Sequence, residues 1–140
     1  MAPIDVVQRY FKAMQTGPSD ADALFALFRE DAVYVEPFSA GGKPSTHEGI
    51  DAIRSNMRAS WEHTPPELTL EVNRIHVDGE VVRSEWTCSC PTFQAPIKGV
   101  DVCTVRAGRI ARLDAELRRF AALVGADTVI WTAPRPDARP

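Results

Sequence analysis

The apolar positions in the first half of the chain repeat at helical spacing. After Pro3, a residue favoured in the first turn of a helix, this spacing predicts an amphipathic helix over residues 3 to 16. The apolar side chains of that helix recur every three or four residues, at Ile4, Val7, Phe11 and Met14. The pattern further predicts a short helix over residues 19 to 30 and a third helix over residues 47 to 61. Between them, residues 32 to 38 alternate and are rich in β-branched and aromatic side chains, which predicts a strand.

The second half changes to a period of two. Residues 67 to 77 alternate and then lose phase at residues 73 to 75, which predicts a strand with a bulge. Asp78 and Gly79 predict a tight hairpin turn. Three more strands are predicted over residues 80–90, 97–106 and 109–118. The order is therefore helix, helix, strand, helix and four strands.

This order predicts an α+β fold, in which helices from the first half cover one face of an antiparallel sheet. At 140 residues, the chain is expected to form one domain over residues 1 to 125. Residues 120 to 124 are expected to add a short helix. The proline-rich tail over residues 126 to 140 is expected to be disordered, at least at its end.

Composition and charge exclude several classes of function. The chain is 44% hydrophobic and 25% charged, with a net charge of −3 and no clustering of its arginines, so we expect neither nucleic acid nor a membrane as a partner. No long apolar run or signal peptide is recognisable, and we expect a cytoplasmic protein. The three cysteines lack zinc-site spacing, and no histidine suggests a metal site, so no metal or other cofactor is predicted.

Three polar side chains occupy positions where packing would favour apolar ones. Tyr10 follows Val-Val-Gln-Arg in the first helix, and Glu36 lies between Val35 and Pro37 at the end of the first strand. Asp101 lies inside a strand, in the string Gly-Val-Asp-Val, although aspartate is poorly suited to a strand interior. Burial there would raise its pKa and keep it protonated, so that it could donate a hydrogen bond.

These strings resemble the nuclear transport factor 2-like superfamily, and most closely its bacterial ketosteroid isomerases. The Gly-Val-Asp-Val string, followed by Gly108, Arg109 and Ile110, is similar to the whole superfamily, and the element order also matches it over residues 4 to 118. The resemblance implies a cone-shaped roll, in which three N-terminal helices pack into a strongly curved mixed sheet with an apolar pocket at its mouth. It also implies pairing of sheet faces into a homodimer, for which a face exposing valine, tryptophan and threonine would be suited.

The resemblance implies an isomerase that shifts a double bond in a steroid or similar hydrophobic ketone. Glu36 corresponds to the carboxylate base, although the family usually has aspartate, and the extra methylene places the base less firmly. Tyr10 and a neutral Asp101 correspond to the donors for the developing oxyanion. This chemistry needs no cofactor. Phe38 and Trp86 are expected to form pocket wall, and Met57 takes the place of a second tyrosine found in one branch.

Two other interpretations remain open. Arg112, Asp114 and Glu116 share one face of the last strand, and a SnoaL-like cyclase or an epoxide-hydrolase-like enzyme would use Asp101 and Asp114, with Arg112 orienting one of them. Such a polar face is more often the solvated side of a sheet. The third interpretation is a non-catalytic module that binds a hydrophobic ligand or dimerises, in which Glu36 is a solvated carboxylate.

Overall fold

The structure is a computed structural model, and it describes residues 1–37, 44–64, 67–91, 93 and 95–118. Phe38, the helix predicted over residues 120 to 124 and the tail over residues 126 to 140 lie outside the described residues. The expected boundary of the domain at residue 125 also lies outside them.

In the described part of the first half, the chain forms three α-helices. They are α1 (Pro3–Thr16), α2 (Ala21–Phe25) and α3 (Ile50–Glu62), and a single 3₁₀ turn (Pro18–Asp20) precedes α2. The prediction for α1 is confirmed at both ends, because Pro3 supplies the first turn and Gly17 ends the helix with a positive φ of 84°. No helix in the described part of the chain is long and apolar enough to cross a membrane.

Six strands of the described residues form one mixed sheet that does not close. They are β1 (Phe28–Glu36), β2 (Ser45–Glu48), β3 (Thr69–Asp78), β4 (Val81–Ser89), β5 (Ile97–Arg106) and β6 (Arg109–Arg118). Their order across the sheet is β2-β1-β6-β5-β4-β3. Only the β1–β6 pair is parallel, and the other neighbours are antiparallel. The bulge predicted near Asn73 is confirmed, since the β3–β4 register shifts between Val72 and Arg74. The α+β class predicted from the sequence is thus confirmed.

The predicted second helix was wrong at its end. Helix α2 ends at Phe25, and Phe28 already pairs with Ile110 as the first residue of β1. The backbone N–H of Ile110 donates to the carbonyl of Leu27 at 2.7 Å, which draws this segment into the sheet. Pairing with a strand far along the chain therefore overrides the local helical pattern.

The sequence pattern also missed β2 and started the third helix too early. His47 lies in β2, opposite Tyr34, and α3 begins only at Ile50. Gly49 separates the two elements with a φ of 91°, and its N–H donates to the carbonyl of Ala32 at 2.8 Å. Strand β2 contains no large apolar side chain, because it is a short edge strand.

The helices pack against one face of the sheet, and the core lies between them. Helix α1 contacts β3, β4, β5 and β6, while α3 contacts β1 and β2. The sheet side of this core contains Ala32, Tyr34, Val82, Trp86, Ile97, Cys103, Ile110 and Leu113. Trp86 therefore lies on the inner, buried face of the sheet.

Candidate active site

A cavity of about 1060 Å³ opens between α1, α3 and the inner face of the sheet. Five of the residues predicted for the site line this cavity, namely Tyr10, Glu36, Met57, Trp86 and Asp101. They come from α1, β1, α3, β4 and β5, so the fold brings together side chains that are far apart in sequence. Phe38, predicted as pocket wall, lies outside the described residues.

Tyr10 projects from α1 toward the sheet and is only 4% exposed. Its ring meets the ring of Phe28 edge to face, with centroids 6.1 Å apart and planes at 75°. Burial raises the pKa of the Tyr10 hydroxyl well above its ordinary value, and the carboxyl of Asp101 raises it further. The phenol is therefore neutral at physiological pH and can donate a hydrogen bond into the cavity.

Asp101 lies in the middle of β5, between Ser84 of β4 and Ala115 of β6. It is 5% exposed, and burial raises the pKa of its carboxyl from 3.8 to about 7. The indole Nε1 of Trp86 donates a hydrogen bond to Oδ1 at 2.9 Å, and this bond lowers the pKa and so limits the rise. Near neutral pH the carboxyl is thus divided between a donor and an acceptor form.

Gly99 allows Trp86 to reach Asp101. Trp86 pairs with Gly99 across β4 and β5, and Asp101 is the next residue of β5 on the same face. A Cβ at position 99 would overlap the indole ring of Trp86 and lie 2.7 Å from the backbone oxygen of Glu116. The missing side chain therefore leaves the space in which the indole lies over the strand.

Glu36 ends β1 and is 8% exposed. Its partner across the antiparallel β1–β2 pair is Ser45, whose Oγ donates to Glu36 Oε2 at 3.3 Å. The Nε2 of His47 lies 3.0 Å from the same Oγ and 4.0 Å from Glu36 Oε2. Ser45 and His47 also line the cavity, and the sequence analysis singled out neither, because it did not predict β2.

Tyr34 is a second phenol in the cavity that the sequence analysis missed as a site residue. It is 7% exposed, and burial, followed by the charges of Glu36 and Asp101, raises the pKa of its hydroxyl well above the ordinary value. The sequence did contain a signal, since Tyr34 lies two residues before Glu36 and alternate strand residues share a face. Tyr34 thus adds a second neutral donor to the cavity.

Arg112 and Asp114 lie on the other face of the sheet. Ala115, their neighbour in β6, points to the cavity, and alternation turns Asp114 outward. The guanidinium of Arg112 makes two hydrogen bonds to the Asp114 carboxylate, of 2.9 and 3.1 Å, and both side chains are partly exposed. The structure therefore does not bring Asp114 together with Asp101, which the cyclase interpretation required.

The acidic and phenolic side chains that line the cavity can accept and donate protons. Within the described ranges, no group of three or more His, Cys, Asp or Glu side chains could hold a metal ion. The cavity instead combines one acid at a strand end, one buried acid with a pKa near neutrality and two neutral phenols. Such a set can abstract a proton and stabilise a developing oxyanion on the same ligand.

Sequence comparison identifies the family. Residues 7–113 match the SnoaL-like domain family, so the chain belongs to it. The resemblance to the nuclear transport factor 2-like superfamily is thereby confirmed. A search of curated proteins finds no match to the sequence.

Several solved structures have the same fold. A "putative polyketide cyclase" from Sinorhizobium meliloti is 29% identical over 80% of this chain and 94% of its own, with a TM-score of 0.65. A "putative ketosteroid isomerase" from Kribbella flavida is 18% identical over 81% of this chain and 76% of its own, with a TM-score of 0.63. An NTF2-like protein of unknown function from Burkholderia pseudomallei reaches a TM-score of 0.69 at 19% identity, over 89% of this chain and 98% of its own.

Proposed function

We propose that this protein is an enzyme that shifts a double bond in a steroid or similar hydrophobic ketone. Glu36 removes a proton from the carbon beside the carbonyl and delivers a proton one allylic position away. Tyr10 and the protonated Asp101 donate to the carbonyl oxygen as it becomes an enolate. The observation that carries the proposal is that all three side chains line one cavity, in which burial raises the pKa of Asp101 to about 7.

The electrostatics of the cavity support this division of roles. Burial keeps the phenol of Tyr10 neutral, and a neutral donor gains interaction energy when negative charge develops on the substrate oxygen. The Trp86 indole holds Oδ1 of Asp101, which leaves the second carboxyl oxygen to carry the proton. The wall formed by Met57 and Phe11 offers apolar contact to a ring system.

The direct test follows the absorbance of the conjugated enone formed from a β,γ-unsaturated 3-ketosteroid. Asp101→Ala and Tyr10→Phe should each lower kcat by about 100-fold or more, since one oxyanion donor contributes about 3 kcal/mol. Glu36→Gln, which keeps the size but removes the base, should lower kcat further. If the wild-type protein binds the steroid but none of the three variants changes its turnover, the assignment fails.

A SnoaL-like cyclase is the second candidate function, and the similarity to the Sinorhizobium meliloti structure favours it. Asp101 would then act as the acid-base group, because a pKa of about 7 suits both steps of proton transfer. Asp114 has no role in this version, since it points away from the cavity. Cyclisation of a polyketide, with no isomerisation of the ketosteroid, would favour this candidate. Tight binding of both ligands without turnover would instead favour a non-catalytic module.

We propose a single domain over residues 1 to 125 that acts without a cofactor in the cytoplasm and forms a homodimer through the sheet. The outer face of β4 carries Arg83, Glu85 and Thr87, so a dimer through it would be polar. Light scattering coupled to gel filtration tests the dimer, and a chain ending at residue 125 tests the domain boundary.

A further inference from the structure

The carboxylate of Glu36 is the inner end of a hydrogen-bonded chain of three side chains. Ser45 Oγ lies 3.3 Å from Glu36 Oε2 and 3.0 Å from His47 Nε2. The Glu36 side chain is 11% exposed and the His47 side chain 22%, so the outer end of this hydrogen-bonded series is more exposed than its inner end. We propose that Ser45 and His47 are positioning residues that relay protons between Glu36 and solvent. This inference rests on the proposed role of Glu36 as the base.

The pairing of β1 with β2 builds this relay. Ser45 lies opposite Glu36 and His47 opposite Tyr34, and both residues of β2 face the cavity side because they are two positions apart. The imidazole of His47 lies beside the Tyr34 ring, with centroids 6.1 Å apart and planes at 34°. Strand β2 therefore places the Ser45 hydroxyl next to the Glu36 carboxylate and the His47 imidazole next to the Ser45 hydroxyl.

Ser45 is required as the bridge. The 4.0 Å between His47 Nε2 and Glu36 Oε2 is too long for a direct hydrogen bond. A serine hydroxyl has one donor and two acceptor sites, so Ser45 can donate to the Glu36 carboxylate while it accepts from Nε2–H of His47. In the reverse polarity, a protonated Glu36 donates to Ser45, which donates to the lone pair of Nε2.

A proton can leave Glu36 through Ser45 and His47 in two coupled transfers. After Glu36 has taken a proton from the substrate and His47 has changed to its Nδ1–H tautomer by exchange with water, the proton on Glu36 moves to Ser45 Oγ as the Ser45 proton moves to the lone pair of His47 Nε2. Glu36 is then a carboxylate and His47 an imidazolium, which loses its Nδ1 proton to water and returns to the Nε2–H tautomer. The reverse sequence returns a solvent proton to Glu36. No electrons are exchanged, and the substrate is reprotonated by a proton that has mixed with solvent.

This device matters because the base is enclosed. A buried carboxylate that keeps a substrate proton after the intermediate has dissociated is inactive until it loses that proton. With the relay, Glu36 returns to its ionised form without direct contact with bulk water. The same path would serve a cyclisation, in which the proton removed from carbon leaves for another site.

The test follows isotope retention rather than rate alone. A β,γ-unsaturated 3-ketosteroid deuterated at the carbon between the carbonyl and the double bond is converted in H₂O, and the deuterium in the product is measured by mass spectrometry. In the wild-type protein, exchange through the relay depletes the label. In Ser45→Ala and His47→Gln, the retained fraction should at least about double, since the label stays on Glu36.

Two control variants separate the relay from general damage to the fold. Ser45→Thr keeps the hydroxyl and should retain as little label as the wild type. His76→Gln changes an exposed histidine of β3 and should also behave as the wild type. Equal retention in all five proteins would overturn the relay while leaving the isomerase assignment intact.

If the wild type does not turn over the steroid, the isomerase proposal fails. A second measurement then tests whether the relay of Ser45 and His47 exists. Long-range ¹H–¹⁵N NMR of the neutral imidazole reports which ring nitrogen of His47 carries the proton. The relay predicts the Nε2–H tautomer in the wild type and in Ser45→Thr, and a loss of that preference in Ser45→Ala. The same tautomer distribution in the wild type and in Ser45→Ala would contradict the relay.

Discussion

The indole Nε1 of Trp86 donates a 2.9 Å hydrogen bond to Oδ1 of Asp101, and the two side chains lie on adjacent strands of the inner face. Burial favours the neutral form of the carboxyl, whereas this bond favours the ionised form. The balance leaves the pKa of Asp101 at about 7. The tryptophan that the sequence suggested as pocket wall thus also controls the protonation of the central acid.

Trp86→Phe should raise the pKa of Asp101 above about 7, because the donor that stabilises the carboxylate is lost. Carboxyl ¹³C NMR of the labelled aspartate measures the change. The protein should also lose about 1 to 3 kcal/mol of unfolding free energy near pH 8, where an ionised and less well bonded carboxylate stays buried. An unchanged pKa would mean that the indole bond does not form in solution.

Asp101→Asn should change how stability depends on pH. The pKa of Asp101 is raised on folding, so its stabilising effect is complete below the unfolded value of 3.8 and is lost as pH rises through about 7. Between about pH 5 and about pH 8, the wild type should therefore lose about 2 to 3 kcal/mol relative to the asparagine variant. Urea unfolding of both proteins at the two pH values measures this difference, and parallel curves would contradict it.

The same substitution should change the pH dependence of turnover. If Asp101 donates to the oxyanion, wild-type kcat should fall as pH rises through about 7, because the ionised carboxylate has no proton to donate. Asparagine keeps an acceptor for Trp86 and offers an amide N–H to the substrate at every pH. The alkaline fall near pH 7 should therefore disappear in Asp101→Asn. A rate that rises with ionisation of Asp101 would instead favour a role as base.

Gly99→Ala should disrupt the Trp86–Asp101 pair. The added Cβ overlaps the indole and lies 2.7 Å from a backbone oxygen of β6 that cannot move freely. We expect a loss of about 2 to 3 kcal/mol of unfolding free energy, typical of overpacking, and a change in tryptophan emission. Gly79→Asn is the control, since nothing lies within 4 Å of that position and asparagine tolerates its φ of 62°. Equal effects of the two substitutions would contradict the packing argument.

Asp114→Asn should leave both turnover and fold nearly unchanged. Its carboxylate pairs with Arg112 on the outer face, where the side chains are 30% and 50% exposed, and such pairs contribute about 0 to 1 kcal/mol. Thermal unfolding and the ketosteroid assay measure the two effects. A large loss of turnover would revive the interpretation in which Asp101 and Asp114 share a substrate.

The sequence predicted the fold well wherever the local pattern and the tertiary pairing agree. Helix α1 and the meander from β3 to β6 follow periodicity and turn chemistry, so their bounds were close. The prediction for the segment around Phe28 was wrong because its apolar run fits a helix as well as a strand. Only pairing with Ile110 decides between the two. Strand β2 carries no apolar pattern at all, and its existence depends on the free edge of β1.

The site was predictable to the extent that its residues break the packing pattern. Tyr10, Glu36 and Asp101 attracted attention because each is polar at a position suited to an apolar side chain. Ser45 and His47 break no pattern, since polar residues before a helix are ordinary. Trp86 fits the core pattern, and its hydrogen bond to Asp101 depends on a register between β4 and β5 that no local string specifies.

The parallel contact between β1 and β6 has a consequence for how the molecule assembles. Apart from the short β2, the strand that carries Tyr34 and Glu36 has only β6 as its neighbour among the described strands. The ribosome must therefore synthesise nearly the whole domain before β1, which carries Glu36, can pair with β6. Because such distant pairings are slow to form, the cavity should be among the last parts of the protein to form, and a truncation that removes β6 should abolish it.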